Sequence, residues 1–458
     1  MFAEYLTVLW AAQSGLFLNR CITFVGRTMG SQHVHRQDRH LLEWLLFMFV
    51  AILSFREAWI IGGTNAYDFF WGAWDGMGYY QWLPSAFITG KFDWMFWCHR
   101  LTETTAISAY SLGVAVLELP FYLISHVLTW LFGYPNTGFA PPNAVCMMAS
   151  TATYAGAGAV LSFRLARRYS TTTAALLAVI TIYGGSNLFY YATSQPLMSH
   201  VHSYFLVSLF CWCGLRIIDG PRPMHVFLFL TSGALMVLVR QLNIAVALFP
   251  LWLAWTSTAG LRGAWNNLVG HRGAFVLGLF LGLVPWVLQS VYWHYITGDW
   301  YANPYALHNE HFEFGKMVPG MVLFSPRNGW FVYSPVFLIV IATLLVQAWR
   351  GRRPARAILL IFLLTLLSYS AWWCWWLGGA YGHRGFIDLY GLLAIPFAWF
   401  FRSVMRRSWS LRIFTAVFLW AVIRLNFGMI EHYDFDIFSV DAAWPKVLEV
   451  VGTIAAGN

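Results

Sequence analysis

Apolar stretches, several of them near 20 residues long, recur along this chain and are separated by short segments rich in arginine. A stretch of that length spans a bilayer as a helix, because only a helix satisfies every backbone polar group within the apolar phase. The charge content agrees. Only 10% of residues are charged, against about 25% in soluble domains. The sequence therefore predicts an all-α polytopic membrane protein, residues 1–458 forming a single transmembrane domain. The expected spans are about 41–61, 143–163, 173–192, 202–218, 224–239, 243–257, 273–293, 334–349, 357–374, 386–401 and 411–428, about 11 transmembrane helices in all.

The net charge of +9 does not point to nucleic acid. Most arginines lie between spans on one side, the distribution that sets membrane orientation. With the N-terminus inside, the segments holding Arg20 to Arg39, Arg164 to Arg168, Arg216 and Arg222, Arg262 and Arg272, Arg350 to Arg356, and Arg402 to Arg412 all face the cytosol. Residues 2–18 are then expected as an interfacial helix. MFAEYLTVLW lacks a basic leader and carries Glu4, so no cleaved signal peptide is expected. The absence of any N-x-S/T sequon points to a bacterial inner membrane.

This topology leaves two long outer loops, about 62–141 and 294–333, and long loops in compact domains are often functional. The first contains AYDFFWGAWDGMGYYQWLPSAFITGKFD. Tyr79, Tyr80, Trp82, Leu83 and Phe87 recur there at helical spacing, with a kink or break expected at Pro84. Such an aromatic helix is expected to lie flat at the interface, holding Asp75 near the membrane surface. A second piece, SLGVAVLELPFYLISHVLTWLFG, is read as a further interfacial helix kinked at Pro120, since a full span there would reverse every later basic segment. The tail after about 428, acidic at first, is expected outside.

Asp75 is the leading candidate for chemistry. It is either a general base toward a hydroxyl or the N-cap of the helix that follows. Asp68 competes as the base, or is a turn residue, as Asp93 is. Glu103 and Glu118 are lone acids, read as structural. Among the outer cations, Arg384 in WWCWWLGGAYGHRGFID can meet a phosphate or pair with Asp388 one helical turn on. Arg327 in SPRNGWFVYSP is an anion ligand or a headgroup anchor. Arg240 is an anion ligand or a helix C-cap. Lys316 is read as solvated. His200 and His202 open a span on the outer side, where they either line the same cleft or are buried structural histidines. The Trp run beside Arg384 can stack on a sugar or mark the membrane interface.

The six cysteines form no CxxC and no ligand-spaced set with histidine, so neither a disulfide framework nor a zinc site is expected. HNEHFE, with His308, Glu310, His311 and Glu313, matches no strong metal motif and is read as a solvated loop. No P-loop, GxGxxG or HExxH occurs, which argues against a soluble nucleotide bound through a standard phosphate loop. No metal site and no cofactor are predicted.

WDGMGYYQWLPS, GVAVLELPFYLISH, LFSPRNGWFVYSP and WWLGGAYGHRGF together resemble the GT-C superfamily of integral-membrane glycosyltransferases, which includes bacterial lipid A aminoarabinose transferases and protein O-mannosyltransferases. Members place a catalytic Asp in the first long outer loop, ahead of a Tyr-containing amphipathic helix; Asp75 occupies that place. Many carry a second acid directly after it, where this chain has Gly76. The resemblance implies inverting transfer of a sugar from a polyprenyl-phosphate donor to an acceptor hydroxyl on the periplasmic side. The acceptor would be a lipid, glycan or protein. Arg384, Arg327 and Arg240 would bind the donor phosphate, and Tyr80, His200, Trp376 and Tyr381 would contact substrate. The alternative from a different class is a transporter or flippase for lipid-linked sugars, for which inverted repeats and midplane acids are the usual marks; no repeat is evident. A non-catalytic assembly partner is the third reading.

Overall fold

A computed structural model of the chain describes residues 36–62, 65–92, 95, 98–307, 310–433 and 443–456. The expected helix at 2–18, Asp93, His308 and most of the acidic tail lie outside these residues. Residues 47–458 form one compact unit.

The protein is an all-α, multi-pass membrane protein. Among the described residues its one pair of strands is His99–Arg100 with Ala106–Ile107. Eight helices are long and apolar enough to cross a bilayer among the described residues: Arg39–Gly62, Gly113–Leu131, Pro141–Tyr169, Ser199–Asp219, Arg272–Thr297, Arg353–Ala371, Arg384–Val404 and Trp409–Glu431. Large apolar side chains face outward from them, as lipid contact demands. In Trp409–Glu431, Phe414, Val417 and Trp420 are all exposed.

Each of the eleven expected spans coincides with a helix, yet they are not all of spanning length. Thr172–Gly184, Pro223–Val239 and Val336–Trp349 are shorter apolar helices. The expected 173–192 span ends early because the chain leaves the helix at Gly185 and resumes at Leu188–Thr193. The 243–257 span begins as a 3-10 segment, Gln241–Ala247, and bends by 112° into Gly260–Val269. Conversely, the stretch read as a kinked interfacial piece forms one helix, Gly113–Leu131, unbroken through Pro120 and long enough to span. It lies beside the first half of Pro141–Tyr169: the Tyr154 hydroxyl donates to the Leu117 carbonyl at 2.7 Å, and Asn143 Nδ2 donates to Ser125 Oγ at 2.7 Å.

Pro141–Tyr169 packs against Gly113–Leu131, Thr172–Gly184, Ser199–Asp219 and Tyr390–Val404. Small residues allow these approaches, because in lipid the helices associate through close packing rather than a hydrophobic drive. A Cβ at Gly158 would stand 2.4 Å from Tyr204 Cε1. At the arginine-rich end, Arg168 grips Asp219 with both guanidinium nitrogens, at 2.5 and 2.8 Å.

The Asp75 stretch folds as Asp75–Tyr80, Trp82–Pro84 and a widened turn, Ser85–Thr89, closed by Gly90 in the left-handed region. The helix therefore changes character at Pro84, as its missing donor dictates. Its aromatic face turns into the protein: Tyr79, Tyr80, Trp82 and Leu83 are buried, and only Phe87 is exposed.

Candidate functional site

Asp75 is the first residue of its helix. The residue before it, Trp74, has φ 43° and ψ −112°. A tryptophan in that region is strained, and such strain persists only where its surroundings impose it. Trp74, not Asp75, holds the N-cap position, and the carboxylate makes no cap. Its Oδ2 accepts from Arg384 Nη2 at 2.7 Å and its Oδ1 from the Tyr110 hydroxyl at 2.8 Å. Two residues 309 positions apart thus form a charge-assisted pair, a class stronger than neutral hydrogen bonds. The Asp75 side chain keeps 36% of its surface exposed and Arg384 16%.

The local alternative for Arg384 is not what forms. Asp388 turns instead to Arg240, with Nε to Oδ2 at 2.8 Å. Arg240 also donates to the Tyr369 hydroxyl at 2.6 Å and reaches Ser199 Oγ at 3.4 Å. Although it follows helix Pro223–Val239 directly, its guanidinium crosses to other helices. His200 Nδ1 lies 3.8 Å from Asp388 Oδ1, and its ring meets Tyr191 edge-on at 5.1 Å. Asp75, Arg384, Arg240 and His200, chosen from four separate stretches of sequence, therefore belong to one polar constellation. Tyr79 joins it, fully buried and interacting with Arg240, Ser199, Asp75 and Arg384.

The loop 294–333 contributes two further groups. Tyr305 and Glu310 both lie within electrostatic reach of Asp75. Burial, then the charge of Asp75, pushes the Glu310 carboxyl above its ordinary value, against a hydrogen bond from Trp373. The same two causes, burial first, push the Tyr110 phenol up. Tyr110 therefore stays a neutral donor to Asp75 Oδ1.

The remaining candidates are placed differently. Arg327 stacks over Trp376, 3.8 Å from the ring centroid; Asn328 pins that loop by donating to the carbonyls of Trp376 and Gly378, each at 3.0 Å. Tyr80 is fully buried, stacked on Phe70 at 4.7 Å, and its hydroxyl donates to the Gly138 carbonyl. Tyr381 is fully buried and donates to Asn426 Oδ1 at 3.1 Å. Neither presents a face to a sugar as positioned; each fills the core. Asp68 sits in helix Ala66–Trp71 and accepts from the N-cap residue Asn65 at 2.6 Å. His311, Glu313 and Lys316 form an exposed ion cluster, and no group of three or more metal-ligating side chains exists among the described residues.

Sequence reasoning missed Tyr110, Tyr191, Tyr369 and Ser199. Tyr110 follows the short strand pair and has no local pattern to mark it. Ser199 adjoins His200, so the histidine was the signal available.

Comparison with known proteins gives no matching family model and no matching curated protein.

Proposed function

We propose that this chain is a membrane glycosyltransferase of the GT-C kind, with 11 spans in a bacterial inner membrane and its site on the periplasmic side. It transfers a sugar from a polyprenyl-phosphate donor to an acceptor hydroxyl, with inversion. The observation that carries this reading is the pairing of Asp75 with Arg384: a proton acceptor and an anion ligand in contact, both partly open.

The acceptor oxygen attacks the anomeric carbon as the bond from that carbon to the phosphate oxygen breaks. The acceptor proton passes to Asp75 Oδ. The polyprenyl phosphate leaves as an anion, which Arg384 meets, with Arg240 and Arg327 as the further candidate anion ligands. A bound donor phosphate competes with Asp75 for the Arg384 guanidinium, so donor binding releases the carboxylate to act as base.

The test is transfer by the purified protein in liposomes containing polyprenyl-phosphate sugars and candidate acceptors. Release of free polyprenyl phosphate with a glycosylated product is expected. Movement of intact donor between leaflets with no bond broken would support a flippase and end this proposal.

A further inference from the structure

Glu118 lies on helix Gly113–Leu131, outside the Asp75 constellation, with none of its surface exposed. Neither of its carboxyl oxygens has a hydrogen-bond partner among the described residues. His202, on Ser199–Asp219, is equally buried, and its Nε2 also lacks a partner there. The two unsatisfied groups face one another, Nε2 to Oε1, at 3.9 Å. An ionised carboxylate without donors in such a place costs several kcal/mol, so it is retained only when neutralised or paired.

Two neighbouring hydroxyls already donate elsewhere. The Tyr80 hydroxyl, from the Asp75 helix, donates to the Gly138 carbonyl. The Tyr154 hydroxyl, from Pro141–Tyr169, donates to the Leu117 carbonyl. His202 Nδ1 lies 3.3 Å from the Met198 carbonyl, which can only accept, so Nδ1 carries a hydrogen. In neutral imidazole the other nitrogen is then an acceptor. The other titratable groups around Tyr80 are Tyr122 and Cys146, which bear no positive charge; the buried Tyr122 hydroxyl has no hydrogen-bond partner among the described residues, so it does not serve Glu118, and no charged group acts on Glu118. The Tyr154 ring lies against His202, with ring centroids 5.1 Å apart.

We infer that Glu118 and His202 form a proton-binding site inside the bundle: Glu118 is held as the neutral acid, its hydrogen directed at His202 Nε2, and this proton locks helix Gly113–Leu131 onto Ser199–Asp219. Losing the proton leaves a bare carboxylate between the helices and loosens the lock. The lock bears on the Asp75 site through the residues leading into the helix. Tyr110 holds Asp75, Ser111 Oγ donates to the Leu238 carbonyl, and the Leu112 amide donates to Gln289 at 2.9 Å. The inference does not depend on which reaction the site performs.

Infrared spectroscopy of protein carrying carbon-13 glutamate tests it. At neutral pH the wild type is expected to show a protonated carboxyl stretch that vanishes in strongly alkaline buffer. Over the same change, amide exchange in helix 113–131, corrected for the intrinsic rate, is expected to quicken by about tenfold or more. Glu118→Gln retains a donor toward Nε2, so it should lack the band and keep the helix protected at both pH values. Should that variant fail to fold, His202→Phe keeps the ring and removes the acceptor, and the band should shift. An absent band at neutral pH, a band unmoved by His202→Phe, or helix protection that ignores pH in the wild type would overturn the inference.

Discussion

Asp388→Asn removes the carboxylate that faces Arg240 and leaves the guanidinium in place. The pair is separated by 2.8 Å, with side chains 17% and 4% exposed. With an effective dielectric constant of about 20, unit charges at that distance attract by about 6 kcal/mol. Desolvation cancels part of this, and breaking a buried pair from one side costs about 3–5 kcal/mol. Arg240 keeps its bonds to Tyr369 and Ser199, so the lower half of that range, about 3 kcal/mol, is expected. Removing both charges, as in Arg240→Met with Asp388→Asn, should cost less than Asp388→Asn alone, because no charge is left stranded. Unfolding titrations in mixed micelles give all four corners of the cycle. A loss below about 1 kcal/mol for Asp388→Asn, or a double variant equal to the sum of the singles, would refute the reasoning.

Three other outcomes follow from the geometry. The Glu310 carboxyl sits above its ordinary value of 4.5, so the folded protein holds that proton more readily than the unfolded chain. The stabilisation it lends is complete below 4.5 and is lost as pH rises through the raised folded value; stability measured against pH should be flatter over that window in Glu310→Gln. Gly158→Ala places a methyl 2.4 Å from Tyr204 Cε1 and should lower stability by about 1–3 kcal/mol, read in the same titrations. Trp376→Ala removes the ring under Arg327; if that ring holds Arg327 for donor binding, the donor KM should rise about 2- to 10-fold, matching the worth of one such contact, with kcat little changed.

Much of the fold was legible because membrane helices must satisfy their own backbone, which leaves hydropathy as a reliable marker. The expected stretch at 41–61, for example, falls within helix Arg36–Gly62. Helix length was less legible. Nothing in the apolar pattern of 173–192 marks where the chain departs at Gly185, and Pro120 does not break a helix braced by its neighbours. At the site, Asp75 and Arg384 each stood out within their own loops, but their contact spans 309 positions. Local rules offered nearer partners for Arg384, and burial reassigned Asp388 to Arg240. Adjacent Tyr79 and Tyr80 show the limit most simply. They point about 100° apart on one helix, and only the tertiary structure determines that Tyr79 faces the constellation while Tyr80 fills the core.

The central claim is that Asp75 accepts the proton while Arg384 receives the phosphate, and a steady-state comparison of Asp75→Asn with Arg384→Gln tests it most directly. Asp75→Asn should lower turnover by about 10²- to 10⁴-fold while donor affinity stays level or tightens, since the competing carboxylate is gone. Arg384→Gln should chiefly weaken donor affinity. Full turnover in Asp75→Asn, or donor affinity untouched by Arg384→Gln, would contradict the account.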